Sequence, residues 1–301
     1  FGHKSPDTDS TGSPIIWAWY LNEIKGVAAA PALLGEPNTE ALFMLDHWKL
    51  DKPQIIDDVQ ADQPVVIVDT NNPAELPASI NDANITAIID HHRLVGGLET
   101  KGPVNIVMET LACTATIMYK MIGDDMAQMP ENIKGAMLTC ILSDTLEFRS
   151  PTTTQEDTAI AHALAKDLGV DIAEYAAQMF AAKSDVSSFS EAELLRMDSK
   201  EYEVGGKKFR VSVLETTSPA TVLNRKDALM AAMPGVATED GADQVLLFVV
   251  DILNEEATML IPNDFTKSVA EKSFGATVTG DSVVLPGVMS RKKQIIPNIK
   301  A

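Results

Sequence analysis

Two short apolar runs that each end in aspartate constrain the fold of this chain most: PVVIVD at residues 64–69 and TAIID at residues 86–90. An apolar run without polar alternation is what a parallel strand covered on both faces requires. Segments with helical spacing of apolar residues alternate with these runs. PIIWAWYLNEIKG follows the first loop, with Ser10 or Ser13 as candidate caps. CTATIMYKMIG and ENIKGAMLTCILSD are read as helices, the second ending near Asp144. TTTQEDTAIAHALAKDLG reads as a capped amphipathic helix closed by Gly169. This alternation argues for an α/β fold with a doubly wound parallel sheet. Ligands in such sheets bind at the carboxyl ends of the strands. Asp69 and the Asp90-His91-His92 triplet stand at those ends. A strand is expected to feed His3 as well, with a few residues upstream of Phe1, which places the loop FGHKSPDTDS beside them.

The pattern changes at residues 183–193, KSDVSSFSEAE, which are serine-rich and lack apolar periodicity. At 301 residues the chain has room for two domains. The boundaries expected are 1–184 for the first, 185–192 for a linker and 193–301 for a smaller mixed α/β domain. In the latter, KEYEVGGKKFRVSVLET reads as a hairpin around Gly205 and Gly206. DQVLLFVVDIL is a strand with ATMLIP as its neighbour, and residues 268–274 are helical.

Charge narrows the partners. A net charge of −19 disfavours nucleic acid, whose binding rests on Lys and Arg. No apolar run is long enough to span a bilayer, and no secretory signal pattern is present in the sequence. Cys113 and Cys140 lie in apolar stretches, which fits buried free thiols and a cytoplasmic setting rather than a disulfide framework. One cationic run stands out in this acidic chain: SRKKQ at residues 290–294, able to hold a small anion.

Several candidate ligands have ordinary readings as well. PDTDS could be a helix N-cap, which accounts for Asp9 or Ser10, yet not for His3 and, four residues on across a proline, Asp7. Asp69 could end a strand in an Asx turn. Two adjacent histidines, His91 and His92, after a buried strand are harder to dismiss in a chain with five, and Asp90 suits the role of orienting an imidazole. Asp144 alone is undecided, and His47 and His162 read as ordinary. SRKKQ alone could be a solvated turn, and Lys200 alone says nothing. Together, Asp7, Asp9, Asp69, Asp144 and a histidine can enclose two divalent ions. Oxygen and imidazole donors without thiolate suit Mn²⁺, Mg²⁺, Co²⁺ or Zn²⁺, and a two-metal site suits in-line displacement at phosphorus.

Taken in order, GHKSPDTDS, VVIVD, IIDHHR, ILSDTLEFRSPT, DSKEY and SRKKQIIP resemble the family II inorganic pyrophosphatases of the DHH phosphoesterase superfamily, over nearly the whole chain. The resemblance implies an N-terminal DHH domain and a C-terminal DHHA2 domain, usually assembled as a homodimer. It implies His3 and Asp7 at a first metal, Asp9, His91 and Asp144 at a second, and Asp69 bridging both. It implies His92 at the substrate phosphate and Lys200, Arg291 and Lys292 as the cations that grip pyrophosphate. Mn²⁺ or Co²⁺ would occupy the tight sites, with Mg²⁺ arriving with substrate. Thr70 departs from the family, which often has His there. The implied reaction is hydrolysis of pyrophosphate by a hydroxide bridging the two metals, with the domains closing over the substrate. Two other readings compete. Another DHH phosphoesterase, acting on oligonucleotides, cyclic dinucleotides or polyphosphate, usually carries a GGGH-like motif, and neither Gly-Gly pair here precedes His. A non-catalytic metal or phosphate sensor would be expected to have lost ligands, and every position is filled.

Overall fold

The computed structural model describes residues 1–300, which divide into a unit of Phe1–Met179 and a second unit beginning at Phe180. In the first unit, β3 (Pro64–Val68), β4 (Asn84–Asp90) and β5 (Asn105–Met108) form a parallel sheet in that order. Two short strands, β1 (Ala32–Leu33) and β2 (Gln54–Ile55), pair in parallel with each other. The chain start joins these pieces. Phe1 exchanges ladder hydrogen bonds with Val66 and Val68 of β3, and Lys4 bridges Leu34 beside β1. His3 therefore sits where an apolar edge gives way to a loop, next to the end of β3.

Helices α1 (Thr8–Trp19), α2 (Thr39–His47), α3 (Thr114–Ile122), α4 (Glu131–Thr145) and α5 (Gln155–Leu168) complete this half, and α6 (Ile172–Ser184) runs across its end at Met179. One side of the sheet buries Val65, Ile67, Ile85 and Ile88 against Leu76 and Ile80. Helices α1, α3 and α4 pack together, and α1 and α3 contact β3 and β4. The α/β alternation and the parallel sheet agree with the expected fold. So does the cap of α5, where Thr154 and Asp157 exchange capping bonds and Gly169 ends the helix in the left-handed region.

The caps expected at Ser10 or Ser13 are not formed. Asp7 is the N-cap of α1, its carboxylate accepting from the Ser10 N–H at 2.9 Å. The helix starts earlier than its apolar spacing suggested, because Thr8-Asp9-Ser10 can wind once Asp7 satisfies an N-terminal donor. Both serines consequently lie inside the helix and are buried.

Close packing of α4 has a measurable consequence. A Cβ on Gly135 would lie 2.0 Å from Cδ2 of Trp48. That indole is pinned by its Nε1, which donates to Tyr175 Oη at 2.8 Å and Thr139 Oγ1 at 3.1 Å. Gly135→Ala should gain about 1 kcal/mol of helix propensity but cost about 1–3 kcal/mol in overpacking. A lowered denaturation midpoint is expected. An unchanged or raised midpoint would mean that Trp48 yields freely.

In the second unit, α7 (Glu191–Arg196) begins with a Ser190–Glu193 capping box. Helix α6 extends to Ser184, so the stretch between these helices is residues 185–190. Strands β6 (Ser199–Val204) and β7 (Lys207–Thr216) make the expected hairpin, with Gly205 and Gly206 at positive φ. A short helix α8 (Ala220–Leu223) and α9 (Lys226–Glu239) cross over to β8 (Gln244–Asp251), parallel to β7. β9 (Glu256–Leu260), α10 (Asp264–Phe274) and β10 (Ser282–Pro286) follow, giving the order β10-β9-β8-β7-β6. Leu247 and Val249 of β8 pack with Leu229, Met233 and Val236 of α9, so this unit has its own core.

Candidate metal centre and anion-binding residues

Asp69 follows β3 with φ of +58°, a left-handed conformation that Asp tolerates better than most residues. This turn aims the carboxylate across the strand ends, and the group is almost wholly buried. Its Oδ2 lies 3.5 Å from His3 Nε2 and accepts from Ser10 Oγ at 2.6 Å. Its Oδ1 lies 3.2 Å from His91 Nε2 and accepts from Thr114 Oγ1 at 3.3 Å. His3 Nε2 is also 3.4 Å from Asp7 Oδ2.

Both of these imidazoles are fixed by backbone carbonyls. His3 Nδ1 lies 2.7 Å from the Lys4 carbonyl and His91 Nδ1 3.1 Å from that of Leu111. A carbonyl accepts, so Nδ1 carries the proton and Nε2 presents its lone pair toward Asp69. His92 is held differently. Its Nδ1 is 2.9 Å from Asp90 Oδ1, which also accepts the His92 backbone N–H. Asp90 is buried, which works against its charge, but His92 and the Asn71 amide outweigh that and hold its carboxyl well below the usual range.

Among the described residues, three groups of donors each gather within 4.8 Å: His3, Asp7 and Asp69; Asp9, His91 and Asp144; and Asp69, His91 and His92. Asp9 accepts from Ser13 Oγ at 2.6 Å and from the Thr114 N–H at 2.7 Å. Burial, then the charge of Asp69, pushes Asp9 up to about 7. Burial, then Asp9, Asp7 and Asp69, raises Asp144 well above the carboxylate range, and its buried Oδ2 has no hydrogen-bond partner. Four mutually repelling carboxylates with two oriented imidazoles are the donor chemistry of a hard or borderline divalent cation such as Mn²⁺.

Cation binding should therefore stabilise the N-terminal unit, by about 2.7 kcal/mol at a free metal concentration 100 times Kd. Chelation is expected to lower the melting temperature by roughly 5–10 °C. A melting curve indifferent to chelator and to added Mn²⁺ would contradict this.

Lys200, Arg291 and Lys292 belong to the second unit. Lys200 lies on β6, opposite Val211 of β7. Arg291 and Lys292 open a π-helical turn, Arg291–Ile295. The flanking residues of SRKKQ build that turn. Ser290 Oγ accepts the Lys293 N–H, and Gln294 Oε1 accepts the N–H groups of Met289 and Ser290 at 2.9 Å each. Arg291 donates to the Asp198 carbonyl and, at 2.8 Å, to Asp198 Oδ1. Burial opposes its charge, but Asp198 more than offsets this and keeps the guanidinium protonated. Asp198 precedes the strand of Lys200, so one residue ties Arg291 to that strand.

Sequence reasoning did not assign roles at the metal centre to Ser10, Ser13, Thr114 or Asn71, nor to Asp198 beside Arg291. These are common residue types, and apart from Ser13, four residues from Asp9, their partners lie distant in the chain. Thr70 is in none of the three groups and donates to Glu75 Oε2 at 2.7 Å. His47 packs beside Trp48 and Tyr175, and His162 stacks on Phe148. Cys113 and Cys140 are buried and unbridged. No helix among the described residues is long and apolar enough to cross a membrane.

Both units have counterparts among known proteins. Residues 1–144 match the DHH family N-terminal domain, and residues 177–301 match the DHHA2 domain. A Deinococcus radiodurans protein named "Probable manganese-dependent inorganic pyrophosphatase" is 39% identical over 100% of this chain and 96% of its own. A Lactobacillus acidophilus protein of the same name is 36% identical over 99% and 96%. The crystal structure of a Methanococcus jannaschii protein assigned to the family II inorganic pyrophosphatases superposes with a TM-score of 0.86 at 31% identity, covering 99% of this chain and 96% of that one. An exopolyphosphatase-related protein from Bacteroides fragilis, at 13% identity and a TM-score of 0.52, shares the fold. With two family domains in order and full-length relatives above 30% identity, the chain belongs to the manganese-dependent, family II inorganic pyrophosphatases.

Proposed function

We propose that this chain hydrolyses inorganic pyrophosphate to two orthophosphates, with Mn²⁺ or Co²⁺ in two tight sites and Mg²⁺ accompanying the substrate. The observation that carries the reading is the two-sided environment of Asp69, one oxygen toward His3 and the other toward His91. His3 and Asp7 would hold one ion, Asp9, His91 and Asp144 the other, and Asp69 would bridge them. Ions held there supply Lewis acidity and lower the pKa of a nucleophilic water.

The protein's own groups do the rest. Ser10, Ser13 and Thr114 fix the carboxylate rotamers through hydrogen bonds. His92, oriented by Asp90, serves the substrate phosphate as a hydrogen-bond and proton partner. Arg291 offers a planar fork to phosphate oxygens, while Lys200 and Lys292 act as point charges. Charge neutralisation of this kind is the main task in phosphoryl transfer. In this reading the domains, 1–184 and 193–301, close on pyrophosphate about residues 185–192. Small-angle scattering should then show a more compact particle with a non-hydrolysable analogue, and an unchanged profile would count against closure. The reading also takes the enzyme as a cytoplasmic homodimer with no nucleic-acid partner. Its net charge of −19 supports the last point, and β5 is a sheet edge with Ile106 exposed.

The test is phosphate release by metal-stripped protein reloaded with Mn²⁺ in excess Mg²⁺, offered pyrophosphate, polyphosphate and an oligonucleotide in parallel. Release from pyrophosphate alone is expected. Cleavage of the oligonucleotide without release from pyrophosphate would move the chain to another branch of the superfamily.

A further inference from the structure

Glu40, on the first turn of α2, is buried to 1% exposure and lies outside the three donor groups. Its place near a helix start does not explain it. Asn38 already caps α2, accepting the Ala41 N–H at 2.8 Å. The Glu40 side chain instead reaches two hydroxyls, 32 and 103 residues away in the chain. Thr8 Oγ1 donates to Glu40 Oε1 at 2.6 Å, and Ser143 Oγ donates to the same oxygen. Thr8 stands between Asp7 and Asp9, and Ser143 immediately precedes Asp144. Two more bonds fasten the same loop: the Asn38 N–H to the Pro6 carbonyl at 3.2 Å, and Cys140 Sγ to the Thr8 carbonyl at 3.3 Å.

A buried carboxylate is expensive to desolvate, and an apolar residue of similar size would often serve stability equally well. Its connections here run between segments that carry ligands to different groups. Resting on the two-metal reading above, we propose that Glu40 is a positioning residue that locks the Asp7–Asp9 loop to the Asp144 end of α4 and so sets the spacing within the Asp9–His91–Asp144 group. The bridging of two hydroxyls by one oxygen needs the length of Glu. Asp is one methylene shorter, and Gln keeps the reach while losing the charge.

The experiment is Mn²⁺ binding by calorimetry on full-length wild type, Glu40→Asp and Glu40→Gln, with melting curves of the metal-free forms. Glu40→Asp should weaken one of the two ions at least tenfold, as loss of a ligand-supporting contact does. The metal-free melting temperature should stay close to wild type, and saturating Mn²⁺ should restore kcat. Glu40→Gln should stay within about threefold in affinity, on the same comparison. Equal affinity in Glu40→Asp overturns the proposal. So does a larger loss in Glu40→Gln, or a loss matched by destabilisation of the metal-free protein. Ser143→Ala removes one donor without touching Glu40 and should also weaken one ion, whether or not Glu40→Asp folds. Failure of the wild type itself to bind two ions would instead overturn the two-metal reading.

Discussion

Asp69→Asn is expected to reduce pyrophosphate hydrolysis by about 10³-fold or more, beyond the 10²–10³ that removal of one transition-state hydrogen-bond donor costs. The substitution is small in every respect except charge. Asn tolerates the left-handed backbone that Asp69 adopts at φ of +58°. Its side-chain oxygen can still accept from Ser10 or Thr114, but its amide nitrogen cannot serve as a second anionic ligand. One of the two faces, toward His3 or toward His91, therefore loses its carboxylate oxygen. The stability effect separates ligand loss from misfolding. The Asp69 charge raises both Asp9 and Asp144 in the metal-free protein. Removing it relieves that repulsion, so the chelated variant should melt at or above the chelated wild type, while Mn²⁺ stabilises the variant far less. Activity within tenfold of wild type would refute the bridging role.

Arg291→Ala is expected to lower kcat/KM for pyrophosphate by about 10²–10³, or roughly 3–4 kcal/mol, with Mn²⁺ binding unchanged. The guanidinium is held in one orientation by two contacts to Asp198, at only 16% side-chain exposure. A fork fixed in that way can meet phosphate oxygens without first losing its own rotamer freedom. Arg291→Lys should recover little, since an ammonium cannot keep both Asp198 contacts and span two phosphate oxygens. Intact metal binding distinguishes this variant from Asp69→Asn. An Arg291→Ala enzyme with wild-type kcat/KM would make the Arg291–Asp198 pair a purely structural ion pair.

The two variants also mark what the sequence could and could not disclose. VVIVD and IIDHH were legible because a buried parallel strand must be apolar, so a carboxylate or imidazole at its end is conspicuous. The hairpin at Gly205–Gly206 and the cap of α5 carried equally local signals. The start of α1 did not. Asp7 takes the N-cap role that Ser10 or Ser13 was expected to fill, freeing both serines to bond Asp69 and Asp9. A cap and a metal ligand draw on the same residue types, so spacing alone could not separate them. The two-residue strands β1 and β2 are too short to show any period. Thr114, Glu40 and Asp198 stayed hidden because their partners lie far away in the chain, at Asp9, Ser143 and Arg291. SRKKQ was visible as charge, while the structure adds that Ser290 and Gln294 shape the turn presenting it.

In the proposed function one carboxylate, Asp69, is shared by two cation sites assembled from loops at the strand ends. Titration of Mn²⁺ into the metal-stripped protein, followed by electron paramagnetic resonance, reads that sharing out. Two ions per chain are expected, with the isolated-Mn²⁺ signal at low loading giving way to an exchange-coupled pair as the second ion binds, and with coupling lost in Asp69→Asn. A single ion per chain, or two ions that remain magnetically independent, would contradict it.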